Sequence, residues 1–506
     1  MTGWANPQAL DGATWRRAHA TLMGETAREF VFAPHNKLVY QQAFDRVRAG
    51  ILAGRPLRPP CPYTFLRHRP GKNTFSERAD GVLGPVERTL FQLFAAAAAQ
   101  AAEPHLDRDR VFSSLPARTG EDALLASTDW SANCFRLATQ QAAEDERWSH
   151  FVEIDVARAG TSLRRADLLA SLARLGLPAA WLAEGERIDR AFEKTLGPAG
   201  LLNDLMTSGT LVTIHLRPLD RLCAELGRPS FRLIDGVLMP TEDIAAADAA
   251  MARLTALLAA MGMSPNPDKT RIVARTDLLV QWASPANLWV EPGSSEAQHL
   301  AAREMMADLG RYGYDAFKVE QWALLALGRA GDRSALDRAL SRFVDVPWAA
   351  RIYALYIGLF LDDRAVRDRF EAALHAAASR LHPWQWMWAA SALWKAPAIA
   401  GRTAPLLARI AGDGRLPDTT RAAAAIVLAR FATAGGWEML ESLASGARSS
   451  HLRAAIAFGF RYRPAAVRQT TLAAWARLDP HVDLVATAVA RDLAAPPGMA
   501  GAEAGA

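Results

Sequence analysis

The sequence predicts an α+β region in the first half of the chain followed by an all-α helical-repeat (HEAT-like) region in the second. Three observations carry that expectation. Between residues 146 and 280, short apolar runs of strand character alternate with amphipathic helical stretches. Beyond residue 300, helical runs start near 316, 333, 348, 364, 383, 402, 418, 436, 450 and 467, many of them separated by Gly-Asp, Asp-Asp or Leu-Pro-Asp breaks. Pairs therefore recur at roughly 35 residues, the period of helical-hairpin solenoids. Ten of the fifteen tryptophans lie from Trp282 onward, where Trp384, Trp386, Trp388 and Trp394 are expected to pack between helical layers rather than to cage a ligand.

Taken in order, residues 1–145 form a helical and basic region. Helical periodicity runs from Leu38 to Leu52 and again from Pro85 through Leu90, Phe91, Leu93 and Phe94 to Ala102. Between them, residues 55–72 carry too many prolines for a regular element. Basic and aromatic residues alternate there, ending on Arg67, Arg69 and Lys72, as in segments that grip phosphates and stack on bases. A solvated loop is the plain alternative. Residues 146–280 open on the strand Phe151–Val156, followed by a helix over Arg164–Leu175 and a second over Leu211–Leu226. Two apolar runs around Asp235-Gly236 predict a hairpin, because both residues tolerate positive φ. A third helix spans Ile244–Met261 and ends at Gly262, and Pro265 to Val273 returns to extended chain. Residues 281–300 are a linker, 301–493 the helical repeats, and 494–506 a small, Pro/Gly-rich tail expected to be disordered.

Composition narrows the class. At 506 residues, 50% apolar and 22% charged, the chain has the make-up of a soluble globular protein with room for more than one core. No run approaches the roughly 20 apolar residues of a bilayer span, and the start lacks a basic stretch leading into an apolar one, which points to a cytoplasmic protein. Cys61, Cys134 and Cys223 lack metal-site spacing and read as small apolar residues, so neither disulfides nor structural zinc are expected. A net charge of +5 permits a polyanionic partner. Six lysines stand against 52 arginines among the 58 basic residues, so a lysine where chemistry wants a transferable proton is informative.

Four motifs then follow one another over some 115 residues. They are Asp155-Val-Ala-Arg-Ala-Gly-Thr-Ser-Leu163, the helix ending Leu216-Arg-Pro-Leu-Asp-Arg221 with Ser208 ahead of it, the hairpin Phe231-Arg-Leu-Ile-Asp-Gly236, and Gly262-Met-Ser-Pro-Asn-Pro-Asp-Lys-Thr270. In order and spacing they resemble the palm of a bacterial reverse transcriptase. Such a palm places an aspartate before two aromatics and a Ser-Ile pair, a Gln-Gly loop and serine before a Leu-x-Pro-Leu-Asp-Arg helix end, a Tyr-x-Asp-Asp hairpin, and a Gly-Leu-x-Leu-Asn-Pro-x-Lys-Thr closing segment. This chain departs from the pattern at Ala159 and Gly160 (the aromatics), Asn203 and Asp204 (Gln-Gly), Leu233 (tyrosine) and Gly236 (the second aspartate).

The resemblance implies an α+β polymerase palm, with residues 1–145 fingers-like, and RNA-directed DNA synthesis by two-metal phosphoryl transfer. Two Mg²⁺ (or Mn²⁺) ions roughly 3.5 to 4 Å apart would be held by Asp155 and Asp235. Glu153, two residues earlier on the same face of the strand, is a candidate third ligand, a surface glutamate being the alternative. Lys269 would protonate the departing pyrophosphate, which arginine does poorly; a structural lysine closing the strand is the alternative. Ser208, Asn203 and Arg232 fall at positions expected to bind nucleotide or nucleic acid. The partners so implied are RNA or DNA and dNTPs, and the architecture looks like that of abortive-infection polymerases of phage defence with C-terminal helical repeats. The departures open a second reading, a catalytically inactive palm serving as a nucleic-acid-binding or assembly scaffold. A third drops the resemblance and makes the chain a helical-repeat adaptor with a protein partner on its concave surface.

Overall fold

The computed structural model describes residues 4–26, 31–69, 74–117, 122–202, 206–282 and 296–494. The chain divides into two compact units, one of Met1–Glu29, Val47–Pro60 and Val86–Asn287, the other of Phe30–Arg46, Cys61–Pro85 and Leu288–Ala506. This partition differs from the expected division at residue 145, because two N-terminal segments fold with the C-terminal helices. Most of the expected linker and nearly all of the tail lie outside the described residues.

The first unit holds a five-stranded sheet. Its strands are β3 (Val111–Phe112), β4 (His150–Asp155), β5 (Phe231–Leu233), β6 (Gly236–Thr241) and β7 (Arg271–Ala274), in the order β3-β5-β6-β4-β7; β1 (Cys61–Arg69) and β2 (Thr74–Val82) belong to the second unit. β3 runs parallel to β5, and the other pairings are antiparallel. From β4 onward the chain runs strand, helices, strand, strand, helix, strand, with spatial order β5-β6-β4-β7, which is the βαββαβ arrangement of ferredoxin-like folds. Burial on both faces explains why β4 lies inside the sheet, flanked by β6 and β7. Phe151, Val152 and Ile154 are fully buried, and Phe151 joins Leu238, Val273, Leu278 and Ala143 in one apolar cluster that ties β4, β6 and β7 to the flanking helices. The helix Ile244–Ala260 that leads to β7 starts where Asp243 accepts from the Ala246 N–H at 2.7 Å, and it stops before Gly262 at φ +72°.

The stretch expected as one helix over Leu211–Leu226 is two, Met206–His215 and Arg217–Glu225. Pro218 is the reason: with no N–H it cannot continue a helix from above, but it fits the first turn of a new one.

In the second unit, β1 (Cys61–Arg69) and β2 (Thr74–Val82) form a nine-residue antiparallel ribbon, which corrects the expectation of an irregular segment over residues 55–72. Three of its prolines precede the strand, and Pro62, inside it, is exposed on a two-stranded ribbon that has edges on both sides. The aromatic residues of the ribbon pack inward. Tyr63 and Phe65 are buried, Phe65 meets Trp384 (ring centroids 6.2 Å), and His68 stacks on Trp348 at 5.5 Å and 12°.

Eleven α-helices follow between Ala316 and Ala494, starting at Ala316, Leu336, Ala350, Arg364, Pro383, Thr403, Asp418, Ala434, Ser450, Ala465 and Pro480. The first, third, fifth, seventh, ninth and eleventh pack in succession against one another; the second, fourth, sixth and eighth form a looser second row. Alanine and glycine allow the close approach. Ala422 to Ala425 are buried, and a Cβ built on Gly459 would lie 2.5 Å from the Ala429 Cβ, so Asp418–Phe431 and Ser450–Gly459 meet nearly backbone to backbone. Trp384, Trp386 and Trp388 are buried in the first row, and Trp394 packs on Phe32 (5.5 Å) and Phe458 (6.3 Å). Among the described residues, no helix is long and apolar enough to cross a membrane.

Candidate active site

β4 ends on Asp155, which pairs with Gly236 across the antiparallel ladder, and the Val156 N–H donates to the Asp235 carbonyl at 3.3 Å. Asp155 and Asp235 are therefore brought to neighbouring strand ends. The hairpin turns one residue earlier than expected: Leu233 pairs with Gly236, leaving Ile234 and Asp235 as the loop. Ile234 takes φ +56°, costly for a β-branched residue. It is supported from the helix Met206–His215, where Gly209 leaves room; a Cβ there would lie 3.2 Å from the Ile234 Cδ1.

The segment Gly262–Thr270 closes over the end of β4. Val156 bridges to Pro265, the Ala157 N–H donates to the Ser264 carbonyl at 2.8 Å, and the Asn266 N–H donates to the Asp155 carbonyl at 2.7 Å. Side chains complete the clamp. Asn266 Nδ2 donates to Asp155 Oδ1 at 2.8 Å, and Lys269 Nζ donates to Asp155 Oδ2 at 2.8 Å. The Asn266 amide is oriented by its own oxygen, which accepts from the Asp268 N–H at 3.2 Å. Each oxygen of the Asp155 carboxylate thus has a donor from one short loop. Glu153, on the same face, is held by Arg271, whose Nε donates to Oε2 at 2.8 Å.

These residues do not fit a pair of divalent ions. Hard cations need several converging carboxylate oxygens. Here Gly236 stands where a third carboxylate is expected, Asp155 carries an ammonium and an amide, and Glu153 carries a guanidinium. No group of three His, Cys, Asp or Glu among the described residues is arranged to hold a metal ion.

The site is closed on another side as well. Ala159 is buried, the Gly160 carbonyl accepts from the Leu201 N–H at 2.7 Å, and the Leu163 carbonyl accepts from the Gly200 N–H at 2.8 Å. Arg165 pins that covering loop, donating to the Gly200 carbonyl at 2.7 Å and also to the Gly197 carbonyl and Asp189. The positions where aromatics are expected are thus occupied by small residues with chain packed on them.

Arg232 is not available to nucleic acid. Its side chain is 1% exposed; it donates to both carboxylate oxygens of Asp220 (2.7 and 2.6 Å), to the Ile234 carbonyl (2.6 Å) and to the Thr213 carbonyl (3.0 Å). Its role is to tie the Leu-Arg-Pro-Leu-Asp-Arg helix to the hairpin. Ser208 is likewise buried, its Oγ without a hydrogen-bond partner, so it does not meet an external ligand as placed. Asn203 and Lys72 lie outside the described residues, as does the side chain of Arg69. Arg67 is exposed on β1, in the second unit.

Sequence reasoning passed over Asn266 and Arg271. The signal for Asn266 lay inside the Gly262–Thr270 motif, whose pattern includes that asparagine.

No family model and no curated protein matches the chain. Among solved structures, a telomerase from Candida albicans in complex with a TWJ fragment of telomeric RNA aligns with 91% of this chain and 71% of that one, at 10% identity and a TM-score of 0.31. That likeness is too slight to bear on fold or function.

Proposed function

We propose that this chain is a reverse-transcriptase-like protein whose palm binds nucleic acid without carrying out two-metal nucleotidyl transfer, joined to a HEAT-like helical solenoid. Four motifs in family order, on a βαββαβ sheet that brings Asp155 beside the hairpin, support the palm. The observation that carries the inactive reading is the Asp155 carboxylate, closed by Lys269 and Asn266 from its own loop. A net charge of +5 supports a polyanionic partner, RNA or DNA. The two rows of helices support the solenoid, though part of its aromatic surface is already covered by the chain's own ribbon, β1–β2. The protein would thus be a scaffold within a defence system of the abortive-infection kind, a role resting on the family resemblance alone.

The test uses the full chain with labelled dNTPs, Mg²⁺ or Mn²⁺, and RNA and DNA oligonucleotides, read both as extension and as filter binding. The expected result is binding that weakens steeply with salt and no extended product beside an active control. Extension that Asp155→Asn abolishes would restore the polymerase reading. Absence of any binding would leave the helical-repeat adaptor.

A further inference from the structure

The palm's misfit with divalent ions has a constructive side, which rests on the palm reading above. We propose that Lys269 is the resident counter-cation of the palm, standing in the charge balance where this architecture would otherwise take a divalent metal. The site would then hold its nucleic-acid ligand independently of metal, with a latent cation site beneath the lysine.

Geometry supplies the reason. The ammonium approaches Asp155 Oδ2 at 2.8 Å, the distance of a charge-assisted hydrogen bond. A divalent ion binding the same oxygen at roughly 2.1 to 2.5 Å would share it with a positive charge and meet repulsion instead of a vacant carboxylate. Asn266 holds the other oxygen and is itself oriented by the Asp268 N–H, so the carboxylate cannot turn to offer a fresh edge without breaking that bond. The lysine is set by the backbone as well as by its own charge. The Lys269 N–H donates to the Asn266 carbonyl at 3.1 Å, and the Thr270 N–H donates to the same carbonyl at 2.9 Å, a tight turn whose first residue, Asn266, is tied by its own N–H to the Asp155 carbonyl. Arg271 repeats the device on Glu153 at 2.8 Å. Two successive acidic positions of β4 are each matched by one cation from residues 269–271, so this face is neutralised from within. The Lys269 side chain is 44% exposed against 17% for Asp155, which makes the lysine the movable member of the pair.

The test is a Mn²⁺ titration of the full chain followed by electron paramagnetic resonance, on the native protein, Lys269→Met, Lys269→Arg, and Lys269→Met combined with Asp155→Asn. Native protein and Lys269→Arg should show no Mn²⁺ binding that depends on Asp155. Lys269→Met should gain a site at least about tenfold tighter than either, the size expected when a group touching a ligand carboxylate is changed, and Asp155→Asn should remove it. Circular dichroism checks that each variant is folded. If Lys269→Met unfolds, Lys269→Gln, which keeps the stem and loses the charge, takes its place. Native protein that binds Mn²⁺ through Asp155 as tightly as Lys269→Met would overturn the proposal. Filter binding in EDTA and in Mg²⁺ separates this outcome from the broader reading: unchanged nucleic-acid binding with Asp155-dependent Mn²⁺ binding refutes only the role of Lys269, whereas no nucleic-acid binding in either buffer refutes the palm's function and leaves the Mn²⁺ result standing.

Discussion

Replacing Arg232 with alanine is expected to be the most destabilising single change in the first unit. The guanidinium is 1% exposed and makes four hydrogen bonds, two to Asp220 and one each to the Ile234 and Thr213 carbonyls. Truncation strips a carboxylate of its cation and two carbonyls of a donor. Breaking a buried pair by removing one partner costs about 3–5 kcal/mol. The Asp220 side chain keeps 23% exposure and can recover some water, which puts Arg232→Ala near the low end, about 3 kcal/mol. Asp220→Asn keeps an acceptor for the guanidinium and should cost roughly 1.5 kcal/mol, the scale of a weakened charged hydrogen bond. The double variant should fall short of the sum by about 1 kcal/mol or more, because the two residues share one interaction. Urea unfolding of the three variants and the native chain, compared at constant m, reads these differences. Arg232→Ala within about 0.5 kcal/mol of native, or strict additivity, would refute the view that this pair ties the hairpin to the helix.

Restoring a carboxylate by Gly236→Asp should be tolerated within about 0.5 kcal/mol, since a Cβ there meets nothing closer than the Leu233 carbonyl at 3.6 Å; Ala159→Phe, at a 3% exposed position, should lose about 1–3 kcal/mol in the same melts. Gly459→Ala should cost a similar 1–3 kcal/mol by driving apart two helices that leave 2.5 Å at that point, read as a drop in the second unit's unfolding midpoint. Acid should weaken the second unit through His35 and His451, whose rings touch at 4.7 Å and whose burial lowers both imidazoles, His451 to about 4. The folded state keeps them neutral while the unfolded chain protonates them, so stability is present above about pH 6.5 and falls as pH drops toward 4, by roughly 3 kcal/mol for His451 alone; His451→Phe should flatten that slope in pH-dependent melts.

Periodicity placed the elements well. Helix starts expected near 316, 364, 383, 418 and 450 match the observed Ala316, Arg364, Pro383, Asp418 and Ser450, because each is marked by a break residue before an apolar stripe. The last helix, Pro480–Ala494, is not among the expected starts. Local rules failed where tertiary contacts decide. The segment before Lys72 looked like a nucleic-acid grip because basic and aromatic residues alternate, but it forms a strand whose Tyr63 and Phe65 are buried against the helices, while Arg67, further along the same strand, is exposed. Arg232 carried the right motif and the wrong role, since nothing local tells an arginine facing a ligand from one facing Asp220. Asp155 was the site's centre in both views, and the sequence could not show that Lys269, 114 residues later, would close on it.

The most direct measurement is a crystal of the full chain soaked in Mn²⁺ and examined by anomalous scattering at the Asp155 carboxylate. No manganese is expected within coordination distance, about 2.0–2.5 Å of either oxygen, and the contact with Lys269 should be unbroken. Two manganese peaks bridged by Asp155 and Asp235, with the lysine swung aside, would contradict that expectation.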